Sequence, residues 1–592
     1  MAAASSTSAA PPPEPLDLGE VSQGQTPATI NSIAMPSQDP KEVDVSSQSP
    51  LDEPTHSRSI FRIATVMVTL FCTLFLSALN TTIIATAIPT ICSDLGSAAG
   101  YSWIGASYVI AATAVVSIWA KLSDIWGRKP FLLLTVALYF VSSIVCALSN
   151  SMGMLIVGRA LQGISGGGLG SLVIIVISDL FSIRRRSLFL GLLHVTWAVA
   201  GGLGPVLGGA FTEYLSWRWI FWINLPICGP AFILLFIFLD VHNPKTELAK
   251  GIKAIDWAGS VCMIAIMVMV LLGLNFGGAT YPWDSPKVIC LVVVGGLMTF
   301  AFVFNEGRIA THPILPLKLF RRKSEAACLA IGFLQHFVLN AAEYYLPLYF
   351  QAVREASPLG SGVLILPLII TEALTAVATG IIIHQSGRYM ELIWGGVVLL
   401  TLGNGLYITF GAASPLGSII AIQIVAGVGV GLLFDPPLIA LQALVSQEDT
   451  AIATATLSFV RSIGVSLSIV IGGVVFQNGM GLQKSKLQDL GLSVELADVL
   501  SGPSAAINID LIRTISDPLQ KLGVKAAYAL SLRNLWILCT GIAACSVFAV
   551  ALIARKDLSR THTETRTGIK EKGGNVPTEL VERDSRAAAD GP

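Results

Sequence analysis

An all-α membrane protein of fourteen transmembrane helices, arranged as two six-helix halves with two further helices inserted between them, is the architecture this sequence predicts. Three observations carry that prediction. Of 592 residues, 53% are hydrophobic and only 12% are charged, with a mean hydropathy of +0.71, whereas soluble domains carry about a quarter charged residues. From residue 59 onward, apolar runs of about the 20 residues needed to cross a bilayer follow one another. A short polar pattern after the second run recurs after the tenth, eight crossings later, as a duplicated six-helix unit with a two-helix insertion requires.

In chain order, residues 1–57 are rich in Ala, Ser, Pro, Thr and Gln without an apolar run. They read as a disordered cytoplasmic tail and not as a signal peptide, so the first crossing must itself direct insertion. The runs cover 60–83, 102–120, 130–148, 152–177, 188–211 and 219–239 in a first half (58–240), then 255–274 and 288–304 in a linker (241–325). A second half (326–554) contains 326–350, 362–383, 392–410, 419–440, 451–476 and 535–554, and a polar tail of mixed charge, 555–592, reads as disordered and cytoplasmic. An even count puts both termini on one side. Arg58 and Arg62, Lys121, Arg128 and Lys129, Arg184–Arg186, Lys245, Lys250 and Lys253, and Arg308 through Lys323 all fall in alternate connections, which identifies those as cytoplasmic. Residues 478–534 break the pattern with several Lys and Arg. Long loops cross regardless of charge, so this segment reads as one extracytoplasmic loop with a short interfacial helix near 494–500.

Several side chains at bilayer depth point to function. The fifth run holds Gly191, Gly201, Gly202, Gly204, Pro205, Gly208 and Gly209. Each glycine costs roughly 1 kcal/mol against alanine in a soluble helix, but in a bilayer small residues admit a close neighbour. This helix should therefore pack tightly and bend near Pro205. Arg159 lies inside the fourth run, with Gly163, Gly166 and Gly170 on one stripe with it. An arginine at this depth faces the bundle interior or a wet cavity, which predicts a water-lined central chamber. Arg461 repeats the pattern with Gly464, Ser468 and Gly472, either as a cavity-lining cation or as a partner for Glu372 or Asp435.

In the recurring polar pattern, Asp124, Gly127, Arg128 and Lys129 correspond to a second-half stretch ending in Gly387 and Arg388. Asp124 can pair with those bases, or cap a neighbouring helix, and so latch the ends of the helices; the bland alternative is a set of stop-transfer charges. His194 and His336 read as packing histidines, with titration near neutrality as the competing reading. Trp103, Tyr108, Trp197, Tyr344, Tyr345, Tyr349 and Phe350 either line a cavity or form an interfacial belt. The nine cysteines make no disulfide framework, and no spacing suggests a metal site. Equal counts of 37 basic and 37 acidic residues give no reason for a nucleic-acid partner. The chain has no Gly-Lys-Ser or Gly-Lys-Thr phosphate loop, which excludes ATP as the energy source and leaves no cofactor to expect.

These motifs resemble the major facilitator superfamily, and within it the fungal fourteen-helix drug:proton antiporters. Asp124, Gly127, Arg128 and Lys129 match the signature between helices 2 and 3, with Ala120 in place of its leading glycine. Leu155, Arg159, Gln162 and Gly163 match the helix 4 motif. Gly191, Gly204, Pro205, Gly208 and Gly209 match the helix 5 antiporter motif, with Ala200 at one of its glycine positions, and WRWIFWINLP at 217–226 is typical of the group. The resemblance implies the major facilitator fold, a monomer in the plasma membrane or a vacuolar membrane, and alternating access around a midplane site. It also implies export of a hydrophobic drug, toxin or secondary metabolite in exchange for protons. An amino-acid or siderophore transporter, or a transport-inactive sensor or receptor, are the competing expectations.

One departure stands out. Where the family has an aspartate in helix 1, this chain has Asn80, in Leu79-Asn80-Thr81-Thr82. An amide cannot titrate, so the proton must be carried elsewhere. Glu343, Glu372 and Asp435 lie at membrane depth, with Glu372 deepest; Glu343 and Asp435 also read as carboxylates bonded across helices or bordering a loop.

Overall fold

The structure is a computed structural model that describes residues 60–558, apart from 85–86, 97–99, 242–243, 245–246, 278–280, 311–312, 448, 502–504, 507 and 510. The two terminal tails, and with them Arg58, lie outside the described residues. Among the described residues fourteen helices are long and apolar enough to cross a membrane: α1 (Ile60–Thr82), α2 (Trp103–Trp126), α3 (Arg128–Ala147), α4 (Met152–Leu180), α5 (Ile183–Tyr214), α6 (Trp219–Phe238), α7 (Trp257–Leu274), α8 (Pro286–Ile309), α9 (Lys323–Ala352), α10 (Gly360–Ser386), α11 (Met390–Tyr407), α12 (Leu416–Leu444), α13 (Thr450–Asp489) and α14 (Pro518–Val550).

Local chemistry sets several of the ends. Ser151 accepts a hydrogen bond from Met154 N at the start of α4, Asp256 from Gly259 N at α7, Ser357 from Gly360 N at α10, and Asp517 from Leu519 N at α14. Each such cap is worth about 1 kcal/mol. Gly127 (φ 98°) turns the chain between α2 and α3, and Gly387 (φ 71°) ends α10 in a left-handed cap. That conformation is open to glycine and strained for side chains carrying a Cβ.

Packing displays the duplication. In the first half α2 lies along α4, α3 along α4 and α6, and α1 along α5 and α6. Eight spans later α10 lies along α12, α11 along α12 and α14, and α9 along α13 and α14. The halves meet through α5 against α10 and α2 against α13, contacts that the same eight-span shift exchanges. The inserted pair α7 and α8 pack on each other. Met263, Ile266 and Met267 of α7 and Phe302 of α8 form one apolar cluster with Ala114 of α2 and Phe459 of α13.

Two elements differ from the hydropathy reading. α13 continues to Asp489, well past the apolar run ending at residue 476, and α14 begins at Pro518 instead of residue 535. Both extensions are too polar for a lipid-facing stretch, but Leu487, Val524, Ala527 and Tyr528 are buried, so side-chain packing carries the helices beyond the bilayer-length core. Between them Val494–Ser501 forms the short helix expected there. The α9–α10 connection is tied to this assembly by Glu355, whose carboxylate meets Lys525 Nζ at 2.5 Å and Lys521 Nζ at 2.9 Å. Those lysines, Lys525 first, hold the Glu355 carboxyl below the usual carboxylate range. α5 runs unbroken from Ile183 to Tyr214. The bend expected at Pro205 falls on a residue whose side chain lies outside the described set.

Candidate functional site

The helix 4 arginine sits in a packed joint and not beside a chamber. Arg159 is 1% exposed. Its Nη1 donates to Asn80 Oδ1 and to Gln162 Oε1, each at 3.0 Å, its Nε to Ile104 O at 3.1 Å, and its Nη2 to Asn80 O at 3.4 Å. The guanidinium lies 4.6 Å from the Tyr108 ring centroid. Asn80 in turn donates to Tyr139 Oη at 2.5 Å, and Tyr139 donates to Leu76 O at 3.0 Å. Gln162 Nε2 donates to Ser143 Oγ at 2.9 Å, which also receives Asn224 Nδ2 at 3.2 Å. The glycines beside Arg159 make this closeness feasible: a methyl at Gly163 would strike Tyr108 O, and one at Gly166 the Tyr108 hydroxyl. Physically, Asn80 serves the cation with an oxygen while its amide donates onward, so the joint is dry and hydrogen-bonded without a carboxylate. Of the two surroundings expected for Arg159, the bundle interior or a wet cavity, the structure shows the bundle interior. Tyr139 and Ser143, inside the third apolar run, carried no sequence signal of their own, and Asn224 entered the sequence reading only as part of the stretch 217–226.

The loop motif forms a compact ion cluster. Arg128 is buried, pairs with Asp124, donates from Nη1 to Ser123 Oγ at 2.8 Å, and meets Asp179 Oδ2 through Nε at 2.8 Å. Asp179, at the end of α4, is the partner that sequence reading missed. Lys129 lies over the Phe236 ring at 5.6 Å. The second-half counterpart is built differently. A methyl at Gly387 would strike the Arg184 guanidinium, whereas the Arg388 side chain is exposed.

The helix 5 glycines serve two neighbours. A Cβ at Gly191 would stand 2.8 Å from Ala376 O of α10, in the other half, and one at Gly380 would strike Ser187 O in return. Further along, a methyl at Gly204 would strike Thr82 of α1, in its own half. Gly208 is buried and Gly209 half-buried.

Polar links between the halves among the described residues lie toward the end of the molecule that carries the arginine cluster 184–186, called here the basic end. Arg186 is 1% exposed. It donates to Gln442 Oε1 at 2.9 Å, and Gln442 Nε2 donates to Ser178 Oγ at 3.1 Å and to Thr454 Oγ1 at 2.9 Å. Ser187 Oγ donates to Gly380 O at 3.1 Å, and Arg184 Nε to Leu558 O at 3.1 Å. Deeper in, His194 Nε2 stands 3.2 Å from Asp435 Oδ1, where α12 is interrupted by Asp435-Pro436-Pro437. His194, which the sequence leaves between packing and titration, bridges the halves. Arg461 Nη2 donates to Phe434 O at 2.5 Å, and its charge acts on Asp435 and not on Glu372. Glu372 interacts instead with Glu343 of α9 and with Tyr407 of α11, and Glu343 bonds to Asn340. Glu372 Oε2 is buried without a hydrogen-bond partner. The structure thus gathers the predicted polar groups into three places: Asn80 with Arg159, Glu343 with Glu372, and Asp435 with Arg461.

Fourteen spans in two equivalent halves, meeting along small residues and a few buried polar pairs, define a multi-pass membrane protein with the architecture of a transporter. The model of the Major Facilitator Superfamily matches residues 70–469, and the chain belongs to that family. It is 44% identical over 508 residues to the efflux pump dotC of Dothistroma septosporum (strain NZE10 / CBS 128990), covering 86% of this chain and 87% of that one. It is 42% identical to the MFS-type transporter ppz2 of Metarhizium majus (strain ARSEF 297), covering 86% and 88%. It is also 35% identical to the efflux pump FUS6 of Gibberella moniliformis (strain M3125 / FGSC 7600), covering 93% and 96%.

Proposed function

We propose that the protein is a secondary exporter of a hydrophobic organic compound, of the drug, toxin or secondary-metabolite kind, driven by protons moving inward. The observation that carries this reading is the closure at the basic end, where the halves are pinned by Gly191 against α10 and by Arg186 on Gln442. Positive charge assigns that end, and both termini, to the cytoplasm, and the plasma membrane is the residence this reading assumes. A monomer suffices, since both halves are in one chain. The names of the relatives, efflux pumps among them, support export.

Asn80 and Arg159 brace the first half, and the proton is carried in the second, by the Glu343–Glu372 pair. Two carboxylates within each other's field at low dielectric repel strongly when both are ionised, so the pair takes up a proton from one face and gives it up when substrate or the other face replaces it. A substrate-panel efflux assay with and without a protonophore tests the reading: efflux that collapses with the gradient supports it. Glu372→Gln should abolish pH-driven accumulation while substrate exchange continues. Gradient-driven transport by Glu372→Gln at the wild-type rate would remove Glu372 from the coupling step, and binding without turnover would identify a receptor instead.

A further inference from the structure

We propose that His194 and Asp435 form a second proton-binding site, one whose occupancy decides whether the basic end stays shut. The inference rests on the reading of proton-driven export but concerns different residues. His194 of α5 and Asp435 at the break in α12 join the two halves through a single 3.2 Å contact. On the far side of the carboxylate, Asp435 Oδ2 is buried without a partner, and so is Nε of Arg461 on α13. Arg461 is already anchored beside Asp435 through the Phe434 carbonyl. Asp435 therefore has two partners to choose between: His194 across the interface, and Arg461 within its own half.

The surroundings are specific. The Phe434 ring packs on His194 at 4.1 Å and edge-on to His336 at 5.6 Å. Charged and titratable groups face the pair from each packed element: His336 from α9, its Nδ1 3.1 Å from Gly332 O, and Arg461 from α13. On α10, Glu372 approaches α12 by its backbone, against Gly427 and Gly431, while its carboxylate interacts with Glu343.

Charge counting gives the direction. With an imidazolium on His194 and a carboxylate on Asp435, the contact is a neutral ion pair that holds α5 to α12. One further proton, added to the carboxyl oxygen, cancels the attraction and leaves imidazolium facing guanidinium. Like charges in a low-dielectric interface repel, so the halves separate at the basic end, where the proton departs to water. The carboxylate it leaves behind pairs with Arg461 until His194 returns. Proton uptake thus unlocks the basic end, as an antiporter requires.

Spin labels on Arg185→Cys and Gln385→Cys, both exposed at the basic end, report the gap when exposed Cys72, Cys290 and Cys545 are replaced by alanine. In reconstituted full-length protein, lowering pH should move the distance distribution to longer values. Asp435→Asn and, as a second and independent variant, His194→Gln should give distributions that no longer change with pH. Arg461→Gln, which removes the guanidinium that the imidazolium would face, should give a smaller pH-driven change. A wild-type distribution insensitive to pH, or a wild-type response in either folded Asp435→Asn or His194→Gln, overturns the inference. A pH-sensitive gap in a protein that accumulates no substrate against a pH gradient would instead defeat the export reading and leave this one standing.

Discussion

Arg159 has five N–H donors and no way to shed its charge, and every acceptor it reaches is neutral: Asn80, Gln162 and two backbone carbonyls. The cation is held by hydrogen bonds and by the face of Tyr108, which fixes what substitution should do. Arg159→Met strands Asn80 Oδ1 and Gln162 Oε1 in a dry joint, about 1–3 kcal/mol for each orphaned acceptor, and should lower the melting temperature of the purified protein by several degrees. Asn80→Asp should melt at or above the wild-type temperature, because an ion pair replaces a neutral contact while the Tyr139 hydroxyl can turn to donate. An Arg159→Met protein as stable as wild type would remove the joint from the account. Part of this was readable in the sequence: arginine and glycines on one stripe meant a close helix neighbour. Whether that stripe met water or an aromatic ring depended on the rotation of α2, which Tyr108 sets from a separate helix and no spacing within α4 encodes. Asp179 stayed hidden for a similar reason, since its link to Arg128 spans 51 positions.

At the scale of the element, α5 changes partners along its length. Near the basic end Gly191 lies against α10 of the other half, and near the middle Gly204 lies against α1 of its own. A bulky side chain forced into a packed site costs about 1–3 kcal/mol, and the two glycines should spend that cost on different equilibria. Gly204→Leu strains the first half in every state, so it should lower thermal stability and reduce the amount of well-inserted protein. Gly191→Leu strains only the state in which α5 touches α10, so it should leave melting nearly unchanged while shifting labels at residues 185 and 385 apart. Equal melting losses in both variants would mean that α5 and α10 do not separate. The sequence announced α5 as tightly packed through its glycine density, but glycines are silent about the neighbour, which requires the fold. Hydropathy likewise located all fourteen spans and stopped short on α13 and α14, because their outer turns are stabilised by protein contacts such as buried Leu487 and Tyr528 and not by lipid.

For the molecule as a whole, five pairings in each half repeat eight spans apart, and the exporter proposed above would change its access where the two halves touch. Arg186 contributes there: it reads in the sequence as one of three positive charges marking a cytoplasmic connection, yet it is buried and bonded to Gln442 across the interface. Its Nε also donates to Phe181 O at 3.2 Å, within its own half. Arg186→Met would leave Gln442 Oε1 without its donor only while the halves are closed, since water can reach it once they part. The loss of about 1–3 kcal/mol therefore falls on the closed state alone and shifts the population by roughly 5- to 150-fold toward an open basic end. Pulsed distance measurements between labels at residues 185 and 385 should show the long-distance population rising. Substrate export should slow, because a transporter that rests open to one side must recross the same barrier uphill. Gln442→Leu, which removes the acceptor together with its bonds to Ser178 and Thr454, should act in the same direction, and the double variant should add little to either single change, as expected for residues sharing one contact. Strict additivity of the two, or unchanged distances in both, would place the closing energy in the apolar crossings of α5 with α10 and α2 with α13 and make the Arg186–Gln442 pair a bystander.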